Sequence, residues 1–217
     1  ENHIGYPDAA VYEKLKKELS DNINYCDLES VMQDFYAEGN APYYKTDHHW
    51  ITPAAFKAYE KLAENLSYTP AGESSFKKTA YDNFYGTTYS SSGYFLSEPD
   101  TLEVWEGKAN QNVTVEIYEG EDVKAFSSMY FEEHLNEPDM YPVFLDGNHS
   151  LVKIKNPTAQ DKKLLVIKDS YAHALTPFLA ENYSEIIMVD MRYFKESVSE
   201  LCKSEGITDA LVLYSIS

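Results

Sequence analysis

The sequence predicts an α/β domain in which helices flank a parallel β-sheet. Residues 164–214 alternate short apolar segments with amphipathic ones, the order expected of strands joined by helical crossovers. Leu164–Ile167 is continuously apolar, as in a strand buried on both faces. Residues 67–150 are rich in Ser, Gly, Tyr and Thr. They are predicted to form a β-rich insertion within a single domain of residues 1–217.

The last third of the chain gives the clearest elements. Apolar residues at 174, 175, 178 and 179 recur with helical period. The predicted order is strand 164–168, helix 171–182, strand 186–189, helix 195–203 and strand 210–214.

The first third is predicted to contain two long helices, from Asp8 or Ala9 to Asn22 and from Pro53 to Leu66. Thr52 followed by Pro53 is typical of a helix start, with a hydroxyl cap and then a proline. Residues 23–28 are predicted to form a short strand. In the insertion, residues 101–106 and 113–118 alternate apolar and polar side chains, which predicts two strands of a hairpin.

Charge limits the classes of partner. The formal net charge is −18 and the pI is near 4.6, which excludes the phosphate backbone of nucleic acid and an anionic lipid surface. Such a chain suits neutral or cationic ligands, and its 19 tyrosines offer flat rings with polar tips that suit sugars. No apolar run is long enough for a membrane span.

Ser170 occupies a place where a nucleophile can work. It follows the predicted strand 164–168 and precedes the helix, and ligands collect at that edge of an open α/β sheet. Backbone N–H groups at the helix start could also stabilise an oxyanion. The alternative is that Ser170 only caps the helix.

A second polar cluster, Asp47-His48-His49-Trp50, precedes the helix at Pro53. In extended chain, residues two apart point the same way, so Asp47 and His49 would share a side. A carboxylate beside an imidazole can fix its tautomer and stabilise the imidazolium. Two alternatives stay open: the cluster binds a metal through His48 and His49, or it only hydrogen-bonds the turn.

Together, the segments Tyr43–Trp50 and Leu164–Tyr171 resemble the signatures of the bacterial DHHW protein family. Residues 84–89, 144–150 and 189–194 fit the same family pattern. That family is similar to the SGNH-hydrolase-like (flavodoxin-like) domain of alginate O-acetyltransferases. These enzymes carry Asp-x-His-Trp and, later, Gly-Asp-Ser.

Carried over by position, the resemblance implies Asp47 as orienting acid, His49 as base and Ser170 as nucleophile. Lys168 stands where those enzymes have glycine. For the oxyanion, the resemblance suggests Asn148 beside Gly147, although Gly and Asn could equally serve only a turn. Arg192 could meet an anionic group of a ligand or pair with a surface carboxylate. No cofactor and no metal is implied.

The expected activity is therefore O-acetyl transfer or ester hydrolysis on an extracellular polysaccharide through an acyl-enzyme. The expected partners are a carbohydrate substrate and a membrane-bound acyl-donor protein. We expect an extracellular or cell-surface location, with any signal or anchor segment outside this sequence. The alternative is a non-catalytic carbohydrate-binding or cell-envelope assembly protein on the same fold.

Overall fold

The computed structural model describes residues 8–120 and 122–215. The α-helices within these ranges are α1 Asp8–Glu18, α2 Leu28–Ala37, α3 Thr52–Leu66, α4 Thr87–Ser92, α5 Tyr171–Leu179 and α6 Val198–Glu205. The strands are β1 Lys77–Phe84, β2 Asp100–Glu106, β3 Thr114–Glu119, β4 Asp122–Phe126, β5 Leu151–Lys155, β6 Lys163–Lys168, β7 Glu185–Val189 and β8 Asp209–Leu213. β1 pairs with β2, and a six-stranded sheet has the order β4-β3-β5-β7-β6-β8.

The six-stranded sheet is mixed, which corrects the prediction of a parallel sheet. β6 is parallel to both β7 and β8, as the alternation of strands and helices predicts. β5 is antiparallel to β7, and β3 is antiparallel to β4 and β5. β4 follows β3 after two residues, too few for the crossover that parallel strands require. The fold class is thus mixed α/β.

The predicted hairpin between residues 101–106 and 113–118 is wrong. The first segment, β2, pairs with β1, and the second, β3, pairs with β4 and β5. A short 3₁₀ turn at Ala109–Gln111 carries the chain from one sheet to the other. Alternation in the sequence identifies a half-buried strand but not its partner. That residues 67–150 form an insertion stays a prediction.

Two local features of the first third also differ from expectation. Residues 23–27 form no strand; Asp27 instead caps α2 by accepting the Ser30 amide at 3.2 Å. Thr52 begins α3 but does not cap it. Its hydroxyl donates to the Glu103 carbonyl at 2.6 Å, which ties α3 to β2.

The core lies on both faces of β6, as its apolar run predicts. Leu164 and Val166 belong to the main core, which α3 and α5 also enter. Leu165 faces a smaller cluster that is closed by residues of α6. This packing fixes the turn after β6 between two layers of helix. None of the helices within the described ranges is long and apolar enough to cross a bilayer.

Candidate active site

Two distant segments bring a serine, a histidine and an aspartate into one hydrogen-bonded series. His49 Nε2 lies 2.7 Å from Ser170 Oγ, and His49 Nδ1 lies 2.5 Å from Asp47 Oδ1. Asp47 and His49 are 3% and 4% exposed, whereas Ser170 is half-buried. A carboxylate only accepts hydrogen bonds, so Nδ1 carries the proton and Nε2 accepts one from the serine hydroxyl. The three residues that the sequence singles out are therefore in contact.

Asp47 is held in its ionised form. Its Oδ1 accepts the His49 amide at 2.9 Å, and its Oδ2 accepts both the amide and the hydroxyl of Thr87 at 2.9 Å. Burial raises the pKa of Asp47, but the hydrogen bonds and charge of His49, with the Thr87 amide, outweigh it and hold the pKa below its usual value. The ionised Asp47 carboxylate accepts the hydrogen bond of His49 Nδ1–H and so fixes the tautomer of that ring.

Gly86 lets the start of α4 approach this carboxylate. A Cβ at Gly86 would lie 2.3 Å from the Asp47 Cβ, far inside van der Waals contact. The approach is what allows Thr87 to donate twice to Asp47. The segment Phe84–Tyr89, one of the stretches that fit the family pattern, thus supports the acid.

The turn that carries Ser170 is fixed by Asp169. Its Oδ1 accepts the Tyr171 amide at 2.9 Å, and its Oδ2 accepts the Ser215 amide at 2.7 Å. Ser170 has φ −67° and ψ −16°, an ordinary helical conformation. The turn therefore needs no positive φ, and Lys168 is tolerated in place of glycine because it is still within β6.

Most amide N–H groups at the start of α5 are already engaged. The Tyr171 amide donates to Asp169 Oδ1, and the amides of Ala172 and His173 donate to the carbonyls of Asp169 and Ser170 at 3.4 and 3.1 Å. Among the described residues, no acceptor is found for the Ser170 amide. The helix start thus offers an oxyanion one backbone donor rather than several.

Aromatic side chains lock the two segments together. The Tyr141 ring stacks on His49, with centroids 3.6 Å apart and planes 6° apart, and its hydroxyl donates to the Ser170 carbonyl at 3.0 Å. Trp50 Nε1 donates to the Tyr171 carbonyl at 3.1 Å, while the Tyr171 hydroxyl donates to the carbonyl of His48. The sequence does not predict that Tyr141 contacts His49 and Ser170, because a single aromatic residue outside any periodic pattern gives no signal of its partners.

Of the residues suggested as oxyanion or substrate contacts, Asn148 and Arg192 belong to a separate hydrogen-bonded network. Gly147 has φ +79°, as the turn alternative requires. Asn148 Oδ1 accepts Arg192 Nη2 at 3.1 Å, and the same guanidinium donates to Asp190 at 2.9 and 2.6 Å. Within residues 8–120 and 122–215, no hydrogen bond or ion pair joins Gly147, Asn148 or Arg192 to Ser170. Their role toward a substrate stays a prediction.

Behind Ser170 lies a buried charge network that the sequence does not predict. Lys168 is 1% exposed, and its Nζ lies 2.7 Å from His173 Nε2 and 3.5 Å from Asp190 Oδ2. Burial lowers the pKa of Lys168 to about 8, although Asp190 opposes the shift. Burial and the neighbouring Lys168 charge lower the pKa of His173, so its Nε2 accepts from the lysine. A lysine that ends an apolar strand is the one signal that could have revealed the network.

The metal alternative has a partial ligand set. Asp47, His48 and His49 can each offer a ligand atom, and these atoms lie within 4.8 Å of one another. His49 Nδ1 already contacts Asp47, and His48 Nδ1 lies 2.8 Å from Thr87 Oγ1. A tetrahedral site needs a fourth ligand. The contacts fit a hydrogen-bonded series better than a metal centre.

The chain belongs to the DHHW protein family, as the two signature segments predict. The family's sequence model matches residues 7–189. Comparison with curated proteins finds no match.

Solved structures share the fold over nearly the whole chain. A DHHW family protein from Eubacterium siraeum is 25% identical, with a TM-score of 0.82 over 99% of this chain and 73% of that one. Bacillus cereus PatB1 is 20% identical, with a TM-score of 0.80 over 99% and 76% of the two chains. PatB1 with a sulfonyl adduct is 21% identical, with a TM-score of 0.78 over 99% and 75%.

Proposed function

We propose that this chain is a serine-dependent O-acyltransferase or esterase of SGNH-hydrolase type that acts on acetyl esters of a polysaccharide. One observation carries the proposal: Ser170, His49 and Asp47 are hydrogen-bonded in series at 2.7 and 2.5 Å. A nucleophile within reach of a base, and a third group that orients the base, is the arrangement needed to activate a hydroxyl. Membership of the DHHW family is consistent with this activity but does not identify it.

The first half of the reaction forms an acyl-enzyme. The Ser170 Oγ–H proton moves to His49 Nε2 while Oγ attacks the ester carbonyl carbon. The tetrahedral oxyanion then collapses, the bond from carbon to the alkoxy oxygen breaks, and His49 returns the proton to the departing alcohol. Asp47 stabilises the imidazolium throughout, because its depressed pKa keeps it charged. Base assistance of this kind contributes about 10² to 10⁴ in rate.

The second half transfers the acyl group. A water molecule or a sugar hydroxyl gives its proton to His49 Nε2 and attacks the acyl carbon. The bond from that carbon to Ser170 Oγ breaks, and the proton returns to Oγ. Water as acceptor makes the protein an esterase, and a sugar hydroxyl makes it a transferase.

The proposed oxyanion donors are the Ser170 amide and the Asn148 side chain. The Ser170 amide is a candidate because no acceptor for it is found in the described chain. Arg192 donates to Asn148 Oδ1, which leaves the Nδ2 end of that side chain as a donor. One such donor is worth about 10² to 10³ in rate. An extracellular site of action and a membrane-bound acyl-donor partner belong to the same proposal, and both depend on the family resemblance alone.

The test is turnover of a chromogenic acetyl ester by the parent, Ser170→Ala and His49→Ala. We expect each substitution to lower kcat/KM by about 10² to 10⁴. PatB1 is known with a sulfonyl adduct, so an aryl sulfonyl fluoride is a suitable second probe. It should add one sulfonyl group to the parent at Ser170, located by peptide mass spectrometry.

Ser204→Ala is the matched control, because Ser204 is exposed on α6, outside the site, and its substitution should leave turnover unchanged. Equal rates in the parent and in both site variants would contradict the proposal. A parent without turnover that still binds oligosaccharide would favour the non-catalytic alternative.

A further inference from the structure

A cavity of about 590 Å³ adjoins the candidate active site. It lies between α2, the segment that carries His48 and the end of β8. Three of the residues that line it, His48, Trp50 and Tyr171, are sequence neighbours of His49 and Ser170. The volume is within the range of small-molecule sites, so the cavity can hold one or two sugar rings.

Tyrosine rings dominate the walls. Tyr36, Tyr43 and Tyr214 line the cavity, and they are 70%, 45% and 44% exposed. Tyr36 lies on α2, Tyr43 precedes the Asp47–Trp50 segment and Tyr214 follows β8, so three separate parts of the chain place rings around one space. A ring with a polar tip can stack on the apolar C–H face of a pyranose and hydrogen-bond its hydroxyls.

The charge of the cavity disfavours an acidic polymer. Glu29 lines it, and neither Lys nor Arg is found among its described lining residues. Glu29 is exposed on α2 and accepts a hydrogen bond from Gln33 Nε2 at 3.1 Å. The formal net charge of −18 adds to this field. A polyuronate would meet like charge without a paired cation.

His48 and Tyr171 line the cavity and also lie beside His49 of the candidate active site. The His48 ring lies 3.9 Å from the His49 ring, centroid to centroid, and the Tyr171 hydroxyl donates to the His48 carbonyl. A sugar bound in the cavity would therefore lie against residues that directly flank His49 and Ser170 in the chain.

We propose that this cavity is the glycan subsite of the enzyme and that it takes a neutral polysaccharide rather than a polyuronate. This inference rests on the proposed function, because it supplies the sugar that the serine would deacylate or acylate. Tyr36 and Tyr43 provide stacking surfaces, and Glu29 accepts hydrogen bonds from sugar hydroxyls and repels carboxylates.

The test is calorimetric binding of cellohexaose and of an alginate hexamer to Ser170→Ala, which cannot turn over the ligand. We expect cellohexaose to bind and the alginate hexamer not to bind. Adding Tyr36→Ala or Tyr43→Ala should raise Kd for cellohexaose at least about fivefold through lost stacking. Both tyrosines are exposed, so thermal unfolding should show folded variants. Adding Tyr94→Ala, an exposed ring outside the cavity, is the control.

Two outcomes would overturn the subsite: binding of the alginate hexamer in preference to cellohexaose, or a Kd that neither tyrosine variant changes. Chromogenic ester turnover by the parent reports separately on the triad. Turnover without cellohexaose binding rejects the subsite alone, whereas binding without turnover rejects the enzymatic proposal alone.

Discussion

Burying a lysine costs free energy of folding, and the neighbours of Lys168 offset part of that cost. It ends an apolar strand, and its ammonium is almost fully buried between His173 and Asp190. Desolvation alone would expel a proton from such a group. The carboxylate of Asp190 retains part of the charge, and the lysine thereby fills the space directly behind the Ser170 turn.

We predict that Lys168→Met changes how stability depends on pH. The pKa of Lys168 is about 8 in the folded chain and about 10.4 in an unfolded one. Between these values the unfolded chain binds the proton and the folded chain does not, so rising pH stabilises the folded parent. The free energy of unfolding of the parent, minus that of the variant, should therefore increase from about pH 8 to about pH 10.

Urea unfolding across this pH range measures the difference. Lys203→Met, at an exposed position of α6, is the control and should give a difference that does not change. If the free energy of unfolding of the parent, minus that of Lys168→Met, stays constant or decreases as the pH rises, the buried lysine is not the titrating group.

At the scale of elements, the site depends on how closely α4 approaches the segment before α3. α4 is only six residues long, yet its first residue, Thr87, donates two hydrogen bonds to Asp47. Gly86 makes that approach sterically possible. Because Gly86 has no side chain, the short helix that follows it can lie close enough to hold Asp47 in place.

We predict that Gly86→Ala lowers turnover of a chromogenic acetyl ester by about 10 to 100-fold. The added Cβ would displace Asp47 and so misplace His49, and a shift near 1 Å at a catalytic group costs about 10²-fold. Gly72→Ala is the matched control, because a Cβ there meets its nearest atom at 4.0 Å. Unchanged turnover in Gly86→Ala would show that Asp47 does not need this position.

At the scale of the whole molecule, an aromatic cluster joins the two sheets. The Phe178 ring of α5 lies 5.8 Å from Trp105 of β2 and 5.3 Å from Phe56 of α3, centroid to centroid. Tyr130 adds a hydrogen bond to the Trp105 carbonyl at 2.6 Å. The two-stranded sheet therefore packs on the same core as the large sheet, which favours one cooperative domain.

We predict that Phe178→Ala lowers the free energy of unfolding by about 3 to 5 kcal/mol, the cost of a large buried cavity. The transition should stay single, because the cluster is shared by both sheets. Urea unfolding followed by both tryptophan fluorescence and far-UV circular dichroism is the measurement. Phe95→Ala, at a mostly exposed ring, is the control. Separate transitions by the two probes would contradict a single domain over residues 1–217.

Local pattern in the sequence predicts the C-terminal elements well. β6, α5, β7, α6 and β8 occur in the predicted order, because apolar runs and helical periodicity are properties of adjacent residues. Which strands pair with each other depends instead on residues that are distant in the chain. For that reason the hairpin of residues 101–106 with 113–118 and the fully parallel sheet are wrong.

Short motifs carry residue type and order, so the amino-acid sequence alone predicts the family, an α/β class and the three residues Asp47, His49 and Ser170. The contact among these three residues is visible only in the folded chain. The tertiary structure also revealed Tyr141 against His49, Lys168 behind the serine turn, and the tyrosine-lined cavity. Each of these depends on residues that are far apart in the chain, and spacing in the sequence holds no record of such contacts.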